Sequence, residues 1–184
     1  MRCSFAVAIS LALVSAGCKE STTGIGGGTG NLLVNSTFES HGVPSLEGWV
    51  VSDTSNVRFS SDVPPGGSGS SIVLGAAWFA PWPNGAIYQE VALPAGSHRY
   101  RLSFIGKKSG VAGAVLVHSG RPAYDGSRLL MALQIADSVW ASYSSTDTIS
   151  VPAGDSAYVT ISGGGTEILA GSSYYNTCTL ELLD

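Results

Sequence analysis

Short runs in which hydrophobic and polar residues alternate recur along the chain from residue 31 onward. Because successive side chains of a β-strand point to opposite faces, this alternation predicts strands with one buried face. Clusters of Gly, Pro, Ser and Asn separate the runs and predict turns. No run has the apolar spacing of an amphipathic helix. The predicted strands are Asn31–Val34, Gly48–Ser52, Asn56–Ser60, Ser70–Leu74, Ala86–Leu93, His98–Gly106, Ala112–His118, Arg128–Ile135, Asp147–Val151, Ala157–Ser162 and Ser173–Leu183.

Two of the predicted strands show which residues face the core. Many short strands at this spacing favour an all-β sandwich, in which each strand buries one face. In the predicted strand His98–Gly106 the residues that face inward are Tyr100, Leu102 and Phe104. In Ser173–Leu183 they are Cys178, Leu180 and Leu182. Cys178 is therefore predicted to be a small buried residue, since no cation lies near it in sequence to lower the pKa of its thiol.

The N-terminus has the pattern of a processing signal. Arg2 precedes an apolar run over residues 5–14, and small residues lead to Cys18. This pattern resembles a bacterial lipoprotein signal, in which the cysteine is lipidated, although Ser15 stands where an aliphatic residue is usual. Cleavage by an ordinary signal peptidase is the alternative. The domains predicted are a signal peptide at 1–17, a lipidated cysteine and flexible Gly/Ser/Thr linker at 18–30, and a β-sandwich at 31–184.

The composition changes the expected partners. The chain has a formal net charge of −4 and its charged residues make up 12% of the total, compared with about 25% in an average protein. No basic stripe is present, so a nucleic acid is not an expected partner. We expect a monomer in the cell envelope, lipid-anchored to a bacterial membrane at the outer membrane or cell surface, or otherwise secreted. Its membrane contact is expected through the lipid anchor only.

Several motifs, in order along the chain, resemble carbohydrate-binding modules of the family 4/9 type. The opening matches are Asn-Leu-Leu at 31–33, Phe-Glu at 38–39 and Gly-Trp at 48–49. The later matches are residues 89–96, 100–104, 151–154 and 174–180. The resemblance implies a galactose-binding-like jelly-roll sandwich of two antiparallel sheets. It also implies a non-catalytic module that binds a poly- or oligosaccharide. The alternative is a structural or adhesive surface domain that has the same fold and contacts another surface protein.

The resemblance further implies a structural calcium ion between the first and last strands. By position, Glu39 matches the family's N-terminal acidic ligand and Asn176 matches its usual C-terminal aspartate. Asn supplies a neutral carbonyl oxygen, which is a weaker ligand for a hard cation than a carboxylate. Two alternatives stay open: the two residues hold calcium, or they bond to neighbouring backbone.

The densest aromatic cluster predicts a sugar-binding loop. Trp78 and Trp82 lie among prolines that stiffen the loop, and their flat rings could stack on a sugar. Asn84, Tyr88 and Gln89 are the polar candidates that would contact its hydroxyls. In the alternative, one tryptophan fills the end of the sandwich. Of the other tryptophans, Trp49 is predicted in the core, and Trp140 could cap the core or lie on a face.

Nothing in the sequence predicts catalysis. The three histidines are His41, His98 and His118, and none has the spacing of a metal-binding pair. No Gly-x-Ser-x-Gly nucleophile motif occurs, and no acidic pair stands in a context typical of a glycosidase. We therefore predict no catalytic residues and no enzymatic activity.

Overall fold

The computed structural model describes residues 30–52, 56–75, 85–110, 112–120, 127–164 and 171–183. These residues form β-strands joined by turns. The strands are β1 (Glu39–Ser40), β2 (Val43–Pro44), β3 (Val50–Val51), β4 (Val57–Ser60), β5 (Ser71–Gly75), β6 (Ala86–Ala92), β7 (Gly96–Ser109), β8 (Ala114–Ser119), β9 (Arg128–Gln134), β10 (Ala141–Val151), β11 (Ser156–Ser162) and β12 (Ser172–Leu182). Within these ranges, no helix is long and apolar enough to cross a membrane.

The main strands form two five-stranded antiparallel sheets. The first sheet has the order β10-β7-β12-β5-β4, and the second has the order β3-β6-β11-β8-β9. The short strands β1 and β2 form a separate hairpin. The chain crosses repeatedly between the sheets, so that sequence neighbours such as β7 and β8 belong to different layers. This arrangement confirms the predicted jelly-roll β-sandwich.

The core lies between the two sheets and follows the predicted alternation. Tyr100, Leu102 and Phe104 of β7 are buried, as are Cys178 and Leu180 of β12, and Leu182 is partly buried against them. Burial raises the pKa of the Cys178 thiol to about 12, so the thiolate is scarce at neutral pH. The core assignment of Cys178 is confirmed.

Trp49 is also buried, as the sequence predicts. Its ring packs on Phe38 with the ring centroids 5.7 Å apart, and its indole Nε1 donates to the Asn35 carbonyl at 3.1 Å. Because a buried indole N–H needs an acceptor, this bond fixes the turn that precedes β1.

The first predicted strand, Asn31–Val34, is wrong. It makes one isolated bridge, between Asn31 and Glu181, and then enters a run of turns. Two of its backbone N–H groups bond to side chains and not to a neighbouring strand: Leu33 N donates to Asn31 Oδ1 at 3.1 Å, and Val34 N donates to Gln89 Oε1 at 2.8 Å. Asn35, with a left-handed φ of 50°, then turns the chain directly after this segment. The side chain of Asn31 accepts from the backbone N–H of Leu180 at 3.0 Å and so ties this segment to β12.

Strand β10 begins earlier than predicted. The sequence predicts a strand over Asp147–Val151, whereas β10 starts at Ala141 and pairs with β7 along its full length. Residues 141–146 are mostly Ser and Thr, so they lack the hydrophobic alternation that marks a strand. Pairing with the long β7 determines their conformation, which is an effect of tertiary context.

Candidate functional site

The outer face of the first sheet carries a groove, and most of the residues that line it are Ser, Thr or Tyr. The groove has a volume of about 460 Å³ and crosses β10, β7 and β12. We call it the hydroxyl groove; its lining residues are Arg101, Ser103, Phe104, Ile105, Ser142, Tyr143, Ser144, Thr177, Thr179 and Glu181. A groove of this size is within the range of 300–1,000 Å³ that is usual for ligand sites.

Strand register places the lining residues in rows across the sheet. Ser103 of β7 stands between Ser144 of β10 and Thr179 of β12. Arg101, two residues away along β7, stands beside Glu181. Directly opposed residues point to the same face, so three distant segments of the chain present their side chains together.

A β-bulge in β12 makes this arrangement possible. The register of β12 on β7 shifts between Tyr175 and Thr177, so Asn176 is the extra residue. The shift lets Tyr175 and Cys178 both face the core although they are three residues apart. Thr177 and Thr179 consequently face the groove.

Arg101 and Glu181 form an ion pair at one end of the groove. The Nε and Nη2 atoms of Arg101 lie 2.8 and 2.5 Å from the same carboxylate oxygen, Glu181 Oε2. The side chains are 49% and 28% exposed, so both groups can be reached from solvent. Arg101 Nη1 and Glu181 Oε1 are not used in these two hydrogen bonds. The pair therefore leaves a donor on Arg101 and an acceptor on Glu181 for a ligand.

The hydroxyl groups of Ser103 and Thr179, which form the floor of the groove, can each donate or accept a hydrogen bond. Ser103 Oγ and Thr179 Oγ1 lie 2.7 Å apart, and either can be the donor. A hydroxyl can donate one hydrogen bond and accept two, so such a floor can adjust to ligand groups of either kind. Ile105 adds apolar surface beside them.

A polar–aromatic cluster lies on the same face, in the next row beyond Ile105. Lys107 Nζ is 5.2 Å from the centre of the Trp140 ring and 5.0 Å from that of Tyr174, which are cation–π distances. Asp62 accepts from Lys107 Nζ at 2.5 Å and from Trp140 Nε1 at 3.0 Å. These hydrogen bonds, with that of Lys107 first, lower the pKa of the Asp62 carboxyl.

The contacts in this cluster decide between the two positions predicted for Trp140. The residue lies on the sheet face and does not cap the core. Tyr174 was not predicted as a surface aromatic. The signal for it is its position next to Tyr175 in a strand, since one of two adjacent side chains must point outward.

The two proposed ligand contacts that the structure describes, Tyr88 and Gln89, do not line the groove. Trp78, Trp82 and Asn84 lie outside the described residues. Tyr88 and Gln89 are in β6, which belongs to the second sheet. Tyr88 is partly exposed, and its ring meets that of Tyr158 edge-on at 6.2 Å.

Gln89 has a structural role, so its assignment as a ligand contact is corrected. Its side chain is 5% exposed. Gln89 Oε1 accepts from Val34 N at 2.8 Å, and Nε2 donates to the carbonyls of Val34 at 3.1 Å and Gly48 at 2.9 Å. The amide is committed to backbone groups and is not free to bind a ligand.

Glu39 and Asn176, the predicted calcium ligands, both bond to the backbone of Ser70. Glu39 Oε1 accepts from Ser70 N at 2.6 Å, and Asn176 Nδ2 donates to Ser70 O at 3.2 Å. Within the described ranges, no group of three or more His, Cys, Asp and Glu side chains could hold a metal ion. The side-chain donors of Glu39 and Asn176 are a single carboxylate and an amide, which fit a calcium site poorly.

Comparison with known proteins identifies structural neighbours. No protein-family model matches the chain, and no curated protein matches its sequence. The fold is similar to Family 16 Carbohydrate Binding Module-2, with a TM-score of 0.57 and 21% identity over 82% of this chain and 99% of that chain. It is also similar to a CBM4 module, with a TM-score of 0.53 and 18% identity over 82% of this chain and 99% of the other.

A third solved structure is TmCBM61 in complex with beta-1,4-galactotriose, with a TM-score of 0.51 and 19% identity over 83% of this chain and 98% of that chain. All three neighbours are carbohydrate-binding modules, and this chain covers nearly the whole of each. The chain therefore has the jelly-roll β-sandwich fold of the carbohydrate-binding modules.

Proposed function

We propose that this protein is a cell-envelope lipoprotein whose β-sandwich binds a polysaccharide or oligosaccharide in the hydroxyl groove. The observation that supports this most is the Arg101–Glu181 pair. Arg101 Nη1 can donate and Glu181 Oε1 can accept, so the pair offers both kinds of hydrogen bond to the hydroxyls of a sugar. Hydrogen bonds to charged groups are the stronger kind, which suits them to fix the orientation of a ligand.

The rest of the groove supports the same ligand class. Sugar hydroxyls both donate and accept, as do the Ser and Thr side chains of the floor. Ile105 supplies apolar surface for the C–H groups of a sugar. The fold adds support, since one structural neighbour is described with a bound galactotriose.

We propose binding without bond cleavage. Glycoside hydrolysis generally uses two carboxylates on either side of the scissile bond. Glu181 is the one carboxylate among the groove's lining residues, and it is paired with Arg101. A single, ion-paired carboxylate favours recognition over acid–base chemistry.

Removal of the Arg101 guanidinium tests the proposal. We expect Arg101→Ala to weaken binding to a neutral polysaccharide by about 10- to 100-fold, since one charged hydrogen bond contributes about 1.5–3 kcal/mol. The melting temperature should hardly change, because exposed ion pairs contribute little to stability. Affinity gel electrophoresis measures the binding, and calorimetry measures the melting.

Arg128→Ala is the matched control, because Arg128 is an exposed arginine on β9 of the other sheet. Equal retardation of the two variants by the polysaccharide would contradict binding in the hydroxyl groove.

The lipoprotein part of the proposal depends on the N-terminal motif and has its own test. We expect the chain expressed in a bacterium to incorporate labelled fatty acid and to fractionate with membranes. Cys18→Ser should abolish both properties, because the lipidated thiol is lost. Label incorporation that persists in Cys18→Ser would contradict lipidation at this residue, and Cys178→Ser serves as the control.

A further inference from the structure

We propose that the sandwich fastens its N-terminal segment to its last strand without a metal ion, through hydrogen bonds of Glu39 and Asn176 to Ser70. We call this arrangement the Ser70 clasp. The backbone of one residue bonds to both side chains: Glu39 accepts from the Ser70 N–H, and Asn176 donates to the Ser70 carbonyl oxygen. All three residues are partly buried.

The backbone around the clasp is built to bring the two side chains to Ser70. Phe38 has a φ of 59°, which turns the chain just before Glu39. Asn176 is the bulged residue of β12, so it stands outside the ladder with β7 and its side chain can reach the start of β5. Close by, Cys178 N donates to Ser36 O at 2.9 Å and joins the same two segments.

The polarity of the contacts disfavours a cation. Calcium takes six to eight oxygen ligands, commonly with several carboxylates. The Ser70 carbonyl can only accept, so the Asn176 group that faces it is the amide NH₂, which a cation would repel. Glu39 Oε1 already accepts the Ser70 N–H at 2.6 Å.

Gly69 leaves no space on one side of the carboxylate. A Cβ atom added to Gly69 would lie 1.9 Å from Glu39 Oε1 and 2.5 Å from its Cδ. Gly69 also has a φ of 81°, a conformation that favours glycine. The carboxylate therefore lies directly against the backbone at Gly69, and hydrogen bonding to Ser70 takes the place of coordination.

Thermal unfolding of the full chain, in excess EDTA and in millimolar calcium, tests the clasp independently of any sugar binding. We expect the wild-type melting temperature to be the same in both solutions. Asn176→Ala should lower it by a few degrees in both, because the Ser70 carbonyl loses its partner. Glu39→Gln should stay close to wild type, because the Gln amide oxygen accepts the same N–H.

A bound calcium ion gives the opposite pattern. Calcium would then raise the melting temperature of the wild type, and Glu39→Gln would lose that rise. Either result would overturn the proposal, as would an unchanged melting temperature for Asn176→Ala in EDTA. The wild-type and Glu39→Gln measurements stand even if Asn176→Ala does not fold.

Discussion

Gln89→Ala is expected to lower the free energy of unfolding by about 3 kcal/mol. The Gln89 amide makes three hydrogen bonds to the backbone of Val34 and Gly48, and its removal leaves those groups without partners. A buried polar group left unpaired costs about 1–3 kcal/mol, and part of this is recovered where water reaches Val34. For a domain of this size the melting temperature should fall by about 10 °C.

The expected loss of stability follows from the position of Gln89, whose side chain joins β6 to the turns at Val34 and Gly48. The side chain extends from β6 to the segment between residues 34 and 48, which has little sheet pairing of its own. Gly48 has a φ of 84°, and a Cβ there would lie 3.2 Å from Gln89 Nε2, so the turn packs closely on the amide. Loss of the amide removes three hydrogen bonds that join this segment to the second sheet.

Calorimetry of Gln89→Ala beside Glu90→Gln provides the comparison. Glu90 is the exposed neighbour on the same strand, and its amide variant can still accept from Ser156 Oγ. A Gln89→Ala protein that melts like wild type but no longer binds a polysaccharide would restore Gln89 as a ligand contact.

Ser144→Trp is expected to reduce polysaccharide binding by at least about 100-fold while the fold stays intact. Ser144 is exposed and stands opposite Ser103 in the middle row of the groove, so an indole there covers the floor. Trp suits a strand, and exposed substitutions usually change stability by about 0.5 kcal/mol or less. Affinity electrophoresis and calorimetry on the same sample separate the two effects.

The matched control is Thr148→Trp. Thr148 lies four residues along β10 on the same face, where it pairs with Arg99 and does not line the groove. The Thr148→Trp variant introduces the same ring into the same strand, so it measures any general effect of an added tryptophan. Equal binding by both variants would show that the ligand does not occupy the groove.

Much of the fold could be predicted from the sequence because burial imposes a period of two on each strand. Tyr100, Leu102 and Phe104 show this period clearly, and all three are in the core. The prediction failed where backbone conformation or strand pairing decides the structure. Leu33 N and Val34 N bond to side chains in the first predicted strand, and left-handed Asn35 turns the chain directly after it. Strand β7 imposes a strand on the Ser-rich start of β10.

The candidate site was much harder to predict. Arg101 and Glu181 are 80 residues apart, and only the pairing of β7 with β12 brings them together. A sequence rich in Ser and Thr gives no indication of which hydroxyls share a groove. The aromatic cluster at Trp78 and Trp82 is conspicuous in the sequence because its residues are close together in the chain. The position of Trp140, in contrast, depends on its contacts with Asp62 and Lys107.

The most direct test is a binding screen of the full chain against neutral polysaccharides and a glycan array, with Ser144→Trp and Thr148→Trp measured beside it. Recognition through the hydroxyl groove predicts specific binding by the wild type and by Thr148→Trp, and its loss in Ser144→Trp. If the well-folded wild type binds no glycan, the proposed function is wrong, and a structural or adhesive domain becomes the better interpretation. If Ser144→Trp binds as tightly as wild type, the sugar site lies elsewhere on the sandwich.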